Sequence, residues 1–422
     1  MSFPGPHDIA RFELANGLVL LVRENHASPS VVLTGFLRVG AYDEDPARAG
    51  LADFTAGALT YGTENRTFEE IYAEVESVGA SLGISGATHS TGFGAKSLVE
   101  DLPLILDVLA DAVRHPVFPD RQVETLRGEF LADLAERAHD TRRMANLTFQ
   151  ELAYPEGHPY AISPSGYPQT IQAIDRDDLL EFHEGGYGAN GMVMVVVGAV
   201  DTDDVLGRVE SAFGDWHGRI FERDPLPDVP RIAQVREATV AIPDKTQSDI
   251  VLGYPGPSRL DPDFLDARVC DTVLGVFGLM GRLGEKVRDE QGLAYYSYSQ
   301  LSGGPGPGPW RVVAGVNPAD VQRAVESIRA EIRRMGEEPV GIEELRDTQA
   351  YLTGSMPLHL ETNGGVAGAI LTMERYGLGL DYLERYGDMI GQVTPERVRA
   401  AARRWLDADA YALAVAGPPA RA

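Results

Sequence analysis

The sequence predicts an α+β fold made of two homologous domains, each a mainly antiparallel sheet packed with helices. The chain has 422 residues, more than a single hydrophobic core usually serves. Short alternating strands such as Phe12–Arg23 and Val31–Val39 come early, and amphipathic helices follow them in runs. This order of strands and helices is typical of α+β domains. Similar signals recur in the second half at one repeated offset, which indicates an internal duplication.

The duplication rests on strand-like runs that correspond between the two halves. Val31–Leu33 in the first half corresponds to Ile250–Leu252 in the second half. A continuous apolar strand ends at Gly198 in the first half, and a similar strand ends at Gly417 in the second. We therefore expect two domains with the same strand arrangement.

Helix starts and helical periodicity support the same scheme. Asp175 or Asp177 can cap the helix before the first terminal strand, and Thr394 can cap its counterpart, with Pro395 at the first helical position. Apolar residues repeat along one face of Phe68–Val78. These segments are predicted to be helices.

A proline-rich segment separates the two halves. Three prolines fall within residues 224–231, between two patterned regions, as expected for an extended linker. We predict an N-terminal domain over residues 1–222, a linker over residues 223–235 and a C-terminal domain over residues 236–422.

Composition limits the partners of the chain. Acidic residues outnumber basic residues 63 to 37, and the net charge of -26 repels nucleic acid. Such a field attracts cationic peptides, although strong acidity is also a general solubility feature. Cys270 is the only cysteine, so no internal disulfide is expected and a reducing cytoplasm suits the chain. Because the sequence shows neither a signal-peptide pattern nor an apolar run of about 20 residues, we expect a cytoplasmic protein without a membrane partner.

An ordered set of motifs resembles the inverzincin peptidases, the family of pitrilysin, insulin-degrading enzyme and mitochondrial processing peptidase. The motifs run in the family's order through nearly the whole chain. They are Gly40–Glu44, Gly50–Thr63, Gly79–Gly83, Pro155–Tyr160, Asn190–Gly198 and Gly284–Tyr295. The resemblance is to the bacterial two-domain type, and in particular to the noncatalytic subunit that lacks the HxxEH motif.

The resemblance locates a zinc motif that this chain has lost. In active members, HxxEH places two histidine ligands on one helical face, and the glutamate between them activates a zinc-bound water. The five corresponding positions here are Asp53, Phe54, Thr55, Ala56 and Gly57. One carboxylate remains, but the second ligand and the general base are replaced by Gly57 and Ala56. We expect no metal and no cofactor in this chain.

The third ligand of the family is a glutamate on a later helix. A gapless match places this position at Leu134, with Asp133 adjacent and Glu129 and Glu136 nearby. A shift of one residue would put Asp133 there instead, so the sequence leaves these two alternatives open. Two carboxylates without a histidine or a base would still make a poor zinc site.

A second family signature is retained. In the resembling peptidases, an arginine and a tyrosine placed like Arg288 and Tyr295 contact the scissile peptide at a zinc site. Arginine offers permanently charged donors to a carbonyl, and a tyrosine hydroxyl can donate to the developing oxyanion. The alternative is that Arg288 forms a surface ion pair and Tyr295 starts a core strand.

Four other features receive structural interpretations. His158 and His183 lack any paired ligand spacing and are expected to be structural. Leu274–Leu283 lies where related noncatalytic subunits carry a glycine-rich substrate loop, but its apolar character favours a helix packed in the core. Ser302–Trp310 alternates glycine and proline and is predicted to be an exposed loop between strands.

Together, the resemblance implies the zinc-less subunit of a heterodimeric metallopeptidase that is inactive alone. A homologous HxxEH-bearing partner would supply zinc, and this chain would form half of the chamber for unfolded peptides. The alternative is a noncatalytic peptide-binding or structural protein of the same fold, which includes the case of a homodimer.

Overall fold

The computed structural model describes residues 3–419, apart from the side chain of Met280. The strands are β1 Ala10–Glu13, β2 Val19–Glu24, β3 Ser30–Leu37, β4 Ser81–Gly86, β5 Thr91–Leu98, β6 Val193–Gly198, β7 Arg236–Ala241, β8 Ser248–Pro255, β9 Ala294–Leu301, β10 Pro309–Val316 and β11 Ala412–Gly417. The helices are α1 Leu51–Ala58, α2 Phe68–Ser77, α3 Leu102–Arg114, α4 Asp120–His139, α5 Thr141–Ala153, α6 Pro168–Ala173, α7 Arg176–Gly186, α8 Thr202–Phe213, α9 Phe264–Gly275, α10 Phe277–Leu283, α11 Val321–Glu337, α12 Ile342–His359, α13 Asn363–Arg375, α14 Tyr382–Gly391 and α15 Pro395–Trp405.

Two sheets confirm the predicted α+β class and its mainly antiparallel pairing. The first sheet has the order β1-β2-β6-β3-β5-β4, and the second has the order β7-β11-β8-β10-β9. Only β2–β6 and β7–β11 pair in parallel among these strands. Apart from β1, the two sheets share one order, with β7, β11, β8, β10 and β9 in the places of β2, β6, β3, β5 and β4. This correspondence supports the duplication inferred from the sequence.

The chain divides into two compact units that are discontinuous in sequence. Unit 1 comprises residues 1–134, 163–224 and 356–385, and unit 2 comprises residues 135–162, 225–355 and 386–422. The predicted halves, 1–222 and 236–422, were drawn as contiguous segments, so they differ from these units by one helical segment each. No helix or strand forms within the predicted linker, 223–235, and the chain changes unit there, between Asp224 and Pro225.

The two segments that depart from the contiguous scheme are helices that cover the sheets. In unit 1, α13 buries Val366 and Ile370 against Val195 of β6. In unit 2, α5 buries Ala145 and Phe149 in a cluster that includes the inward side chains of β8, β10 and β11. A helix from the other half of the sequence therefore packs against each sheet.

Local structure confirms most of the predicted elements. Phe68–Val78 contains α2, Asp175 caps α7, and Thr394 caps α15 with Pro395 at its first position. The single strand predicted over Phe12–Arg23 is wrong. It forms a hairpin, because Gly17 adopts a φ of 85° that turns β1 into β2.

Two segments of unit 2 depart in part from their predictions. Leu274–Leu283 is helical as preferred, but it is not packed throughout in the core, since Leu279 is 69% exposed. The helix is interrupted, because α9 ends at Gly275 before α10 begins. The predicted loop joins β9 to β10, but it is shorter than expected, because Trp310 belongs to β10 and is buried. The predicted exposure of this loop is wrong, since only Pro305 within residues 302–309 is exposed.

Candidate functional site

The lost zinc motif lies on α1, whose start is fixed by a glutamate that the sequence analysis missed. Gly50 precedes the helix with a φ of 97°, a conformation that favours glycine. The carboxylate of Glu44 accepts hydrogen bonds from Gly50 N at 2.9 Å and from Ala52 N at 2.7 Å. It therefore satisfies N–H groups that are otherwise unpaired at a helix start. No capping pattern reveals Glu44, because it lies outside the usual N-cap spacing.

Asp53, at the first ligand position, is held by its neighbours. Its Oδ1 accepts from Gly86 N at 3.2 Å, and its Oδ2 accepts from the Ser165 hydroxyl at 3.1 Å. Burial raises the pKa of Asp53, and the negative charge of Asp133 raises it further. Both oxygens thus have structural partners.

The remaining motif positions provide no metal donors. Ala56 is buried, and Gly57 lies beside α4, where an added Cβ would stand 3.6 Å from Leu126. Leu134 is 3% exposed and belongs to the core of unit 1, whereas Asp133 is exposed. Among residues 3–419, no group of three or more His, Cys, Asp or Glu side chains could hold a metal ion. These residues do not fit zinc, because a glycine and a core leucine stand where two ligands would be required.

Gly57→Ala should raise the free energy of unfolding by roughly 0.5–1 kcal/mol. Gly57 lies in the last turn of α1, and a methyl group there meets Leu126 and Phe130 at ordinary van der Waals distances of 3.6–3.8 Å. Urea unfolding would measure the gain. Gly35→Ala provides the contrast, since its Cβ would stand 2.2 Å from Val193 O and should destabilise the chain. A loss of stability in Gly57→Ala would contradict this packing.

Glu44 should make the free energy of unfolding fall as pH rises towards 7. Burial raises the pKa of Glu44 from 4.5 to about 7, so the folded chain binds more protons than the unfolded chain between these values. Stability therefore decreases with pH across this interval, by roughly 3 kcal/mol for such a shift. Urea unfolding at about pH 5 and about pH 8 would measure the fall.

Glu44→Gln should remove that part of the pH dependence. Glu69 of α2 is exposed and supplies the control, since Glu69→Gln should leave the fall unchanged. If the fall persisted in full in Glu44→Gln, another group would be responsible.

Arg288 and Tyr295 lie in irregular backbone at the start of β9. Arg288 belongs to a π-helical turn, Gly284–Asp289, and its guanidinium stands 3.6 Å from the carboxylate of Asp289. Tyr295 occupies a β-bulge, because Gly315 pairs with Tyr296 and Val316 pairs with Ala294, which leaves Tyr295 unpaired. Its side chain is 81% exposed, so Tyr295 itself lies outside the core although it stands at the start of β9. The contact between Arg288 and Asp289 is the surface ion pair that the alternative interpretation expected. Both irregularities are common next to functional sites.

The turn between these two residues is closed by backbone hydrogen bonds. Leu293 N donates to Val287 O at 3.0 Å, and Gly292 N donates to Arg288 O at 2.9 Å. Gly292 has a φ of 61°, which favours glycine at this position. The local backbone therefore keeps Arg288 and Tyr295 on one short, ordered segment of unit 2.

A buried polar cluster beside Tyr295 was also not predicted from the sequence. Asp249 of β8 is 1% exposed and accepts hydrogen bonds from the hydroxyls of Thr141 and Tyr296. The ring of Tyr296 crosses Gly315, where an added Cβ would stand 2.7 Å from it. Gly315 pairs with Asp249 on one neighbouring strand and with Tyr296 on the other. The cluster could not be predicted from the sequence, because it depends on this pairing of strands.

His158 and His183 have structural contacts, in agreement with their predicted roles. His158 is buried and its Nδ1 accepts from Tyr160 N at 3.0 Å. The Nε2 of His183 lies 2.9 Å from Val113 O, and its ring stacks on Tyr187. Burial lowers the pKa of both histidines.

The fold and the site define a duplicated, peptidase-like protein whose zinc motif is degenerate. Residues 19–155 match the family described as Insulinase (Peptidase family M16), and residues 173–352 match Peptidase M16 inactive domain. An uncharacterized zinc protease of Streptomyces coelicolor is 30% identical over 414 residues, covering 94% of this chain and 88% of that protein. The chain therefore belongs to peptidase family M16, which confirms the resemblance seen in its motifs.

Two further similarities are to a solved structure and to a subunit of the cytochrome b-c1 complex. The crystal structure titled peptidase M16 inactive domain, from Pseudomonas fluorescens, superposes with a TM-score of 0.90 at 23% identity and covers 98% of each chain. Subunit 1 of the mitochondrial cytochrome b-c1 complex of Rattus norvegicus is 26% identical over 269 residues, covering 62% of this chain and 54% of that protein. No helix within residues 3–419 is long and apolar enough to span a membrane.

Proposed function

We propose that this chain is the zinc-less subunit of a two-chain M16 peptidase and supplies Arg288 and Tyr295 to the active site of its partner. The observation that carries the proposal is the placement of Tyr295. A bulge turns its side chain out of the sheet, and 81% of it is exposed although it is a large aromatic residue. Bulges often aim a side chain at a functional site.

The partner in this proposal is a homologous chain with an intact HxxEH motif. Asp53, Ala56, Gly57 and Leu134 cannot replace that motif, for the reasons of packing and donor chemistry given above. Zinc would therefore be bound by the partner, and this chain would carry no cofactor. We place the complex in the cytoplasm, where the lone, buried Cys270 would stay reduced.

The residues of this chain would act on the substrate directly. The guanidinium of Arg288 is suited to hold a peptide carbonyl by charged hydrogen bonds. The hydroxyl of Tyr295 is suited to donate to the oxyanion that develops as the peptide bond is attacked. Neither role requires this chain to bind a metal ion.

Unfolded peptides are the substrate class that the sheet edges favour. β4 and β9 are the outer strands of their sheets, so each has one row of backbone groups without a strand partner. An extended peptide can add to such an edge through its main chain, which gives affinity with little sequence preference. β4 also runs beside Asp53, since Gly86 N donates to that carboxylate.

A reconstitution assay tests the proposal. Cleavage of a quenched fluorogenic peptide would be measured with this chain alone, with an HxxEH-bearing homologue alone and with both, and zinc content would be determined for each. Activity that rises sharply only in the mixture, with zinc on the homologue, is the expected result. Activity with stoichiometric zinc in this chain alone would overturn the proposal.

A noncatalytic peptide-binding or structural role is the second candidate, including a homodimer. The similarity to subunit 1 of the cytochrome b-c1 complex favours it, because that relative is named as a subunit of a larger complex. Peptide binding without any effect of this chain on the homologue's turnover would support this second role.

A further inference from the structure

Two arginines of unit 2 meet beside the β9 edge without an ion-pair partner. Arg311 of β10 donates from Nη1 to Asn146 Oδ1 at 2.6 Å and from Nη2 to Gln300 Oε1 at 3.0 Å. Its Nε is buried and has no acceptor. The cation is therefore surrounded by neutral groups and keeps unused donors.

Arg142 lies next to this group at the start of α5. Its guanidinium stands 4.8 Å from the ring centre of Tyr296 and 5.4 Å from that of Tyr298, and it donates to the Tyr298 hydroxyl. Burial lowers the pKa of Arg311, and the positive charge of Arg142 lowers it further. A positive charge is also unfavourable in the first turn of a helix.

No carboxylate within residues 3–419 forms a salt bridge with Arg142 or Arg311. Asp249 attracts Arg142 through space. Its oxygens are occupied by the hydroxyls of Thr141 and Tyr296. Arg311 is a partly buried cation without a counterion, which is energetically unfavourable. The absence of an acidic partner is unusual in a chain of net charge -26.

We propose that Arg142 and Arg311 form a binding site for the carboxylate of a small acid or of a peptide C-terminus. The donors of a guanidinium group match the geometry of a carboxylate. Arg142 and Tyr296 also line an open cleft of about 450 Å³, which leaves room for the rest of the ligand. The lining of the same cleft includes Lys245 and His139 as well as three carboxylates, those of Glu136, Asp140 and Asp249. These carboxylates disfavour a doubly charged anion such as phosphate more than a singly charged carboxylate.

This site is independent of the proposed peptidase role, because it requires neither a partner nor cleavage. It also differs from a purely structural role, in which Arg142 and Arg311 would only fasten α5 to β9 and β10. A structural fastening would not distinguish a ligand with a carboxylate from the same ligand without it.

Calorimetry with acetyl-trialanine tests the site on the full chain. We expect the free acid to bind at least about tenfold more tightly than its C-terminal amide, which corresponds to about 1.4 kcal/mol. Arg142→Gln should abolish this preference, and since Arg142 is exposed the variant should fold. Arg323→Gln is the matched control, because it removes an exposed arginine of the same unit and should retain the preference.

Four results would overturn the proposal. Equal binding of acid and amide by the unmodified chain would exclude carboxylate recognition, as would the absence of binding at about 10 mM ligand. An undiminished preference in Arg142→Gln would place the site elsewhere. Tighter binding of inorganic phosphate than of the free acid would show that the ligand class is wrong.

Discussion

In a reconstituted two-chain complex, Tyr295→Phe should lower kcat by about a hundredfold or more. Removal of one donor to a developing oxyanion typically has an effect of this size. The loss should fall on kcat, because the oxyanion exists only in the transition state. The variant lacks a single exposed oxygen on a bulge, so its folded structure should be unchanged. Steady-state cleavage of a fluorogenic peptide, with equal concentrations of both chains, would measure the effect.

Arg288→Ala in the same complex should raise KM more than it lowers kcat. The guanidinium would hold a carbonyl that is present in the bound substrate as well as in the transition state. Tyr351→Phe is the matched control for Tyr295→Phe, since Tyr351 is another exposed tyrosine of unit 2. This control should leave both kcat and KM unchanged. Full turnover in the double variant Arg288→Ala, Tyr295→Phe would refute the proposed roles while leaving a structural role for the subunit open.

Gly315→Val should lower the free energy of unfolding by roughly 2–4 kcal/mol. The first added carbon would stand 2.7 Å from the ring of Tyr296 and 2.7 Å from Gln247 Nε2. Tyr296 would have to move, and Asp249, which is 1% exposed, would lose one of its donors. Overpacking and an unsatisfied buried carboxylate both destabilise the folded chain. Urea unfolding followed by circular dichroism would measure the change.

Two further variants isolate the cause of that destabilisation. Gly94 occupies the corresponding strand of unit 1, β5, and an added Cβ there meets nothing within 4 Å. Gly94→Val should therefore change stability by no more than about 0.5 kcal/mol. In a Tyr296→Ala background, the decrease in the free energy of unfolding caused by Gly315→Val should be smaller by at least about 1 kcal/mol, because the two side chains would no longer collide. An undiminished effect in that background would assign the strain to another contact.

The fold could largely be predicted, because its signals are local. Alternating strands, the helix of residues 68–77 and the caps Asp175 and Thr394 depend on neighbours a few residues away. The duplication was also visible, since β3 and β8 carry similar apolar runs. The hairpin at Gly17 was missed because an alternating pattern can continue through a tight turn.

The site could be predicted in part. The degenerate zinc motif was found from its spacing, and the structure places Asp53 next to Gly86 and Ser165, contacts that spacing does not reveal. Whether Leu134 or Asp133 occupies the third position was left open by the sequence. Leu134 proves to be a core residue, and Asp133 acts on Asp53 only through its charge.

The sequence by itself determined the family, and it predicted the loss of the zinc ligands and the retention of Arg288 and Tyr295, because each of these is a matter of residue identity at a fixed spacing. Only the tertiary structure decided that Tyr295 lies on a bulge, that Asp249 reaches Tyr296 across Gly315, and that Arg142 and Arg311 lack a carboxylate partner. These features arise where strands and helices distant in sequence pack together. Their energies depend on burial and on neighbours that no local pattern records.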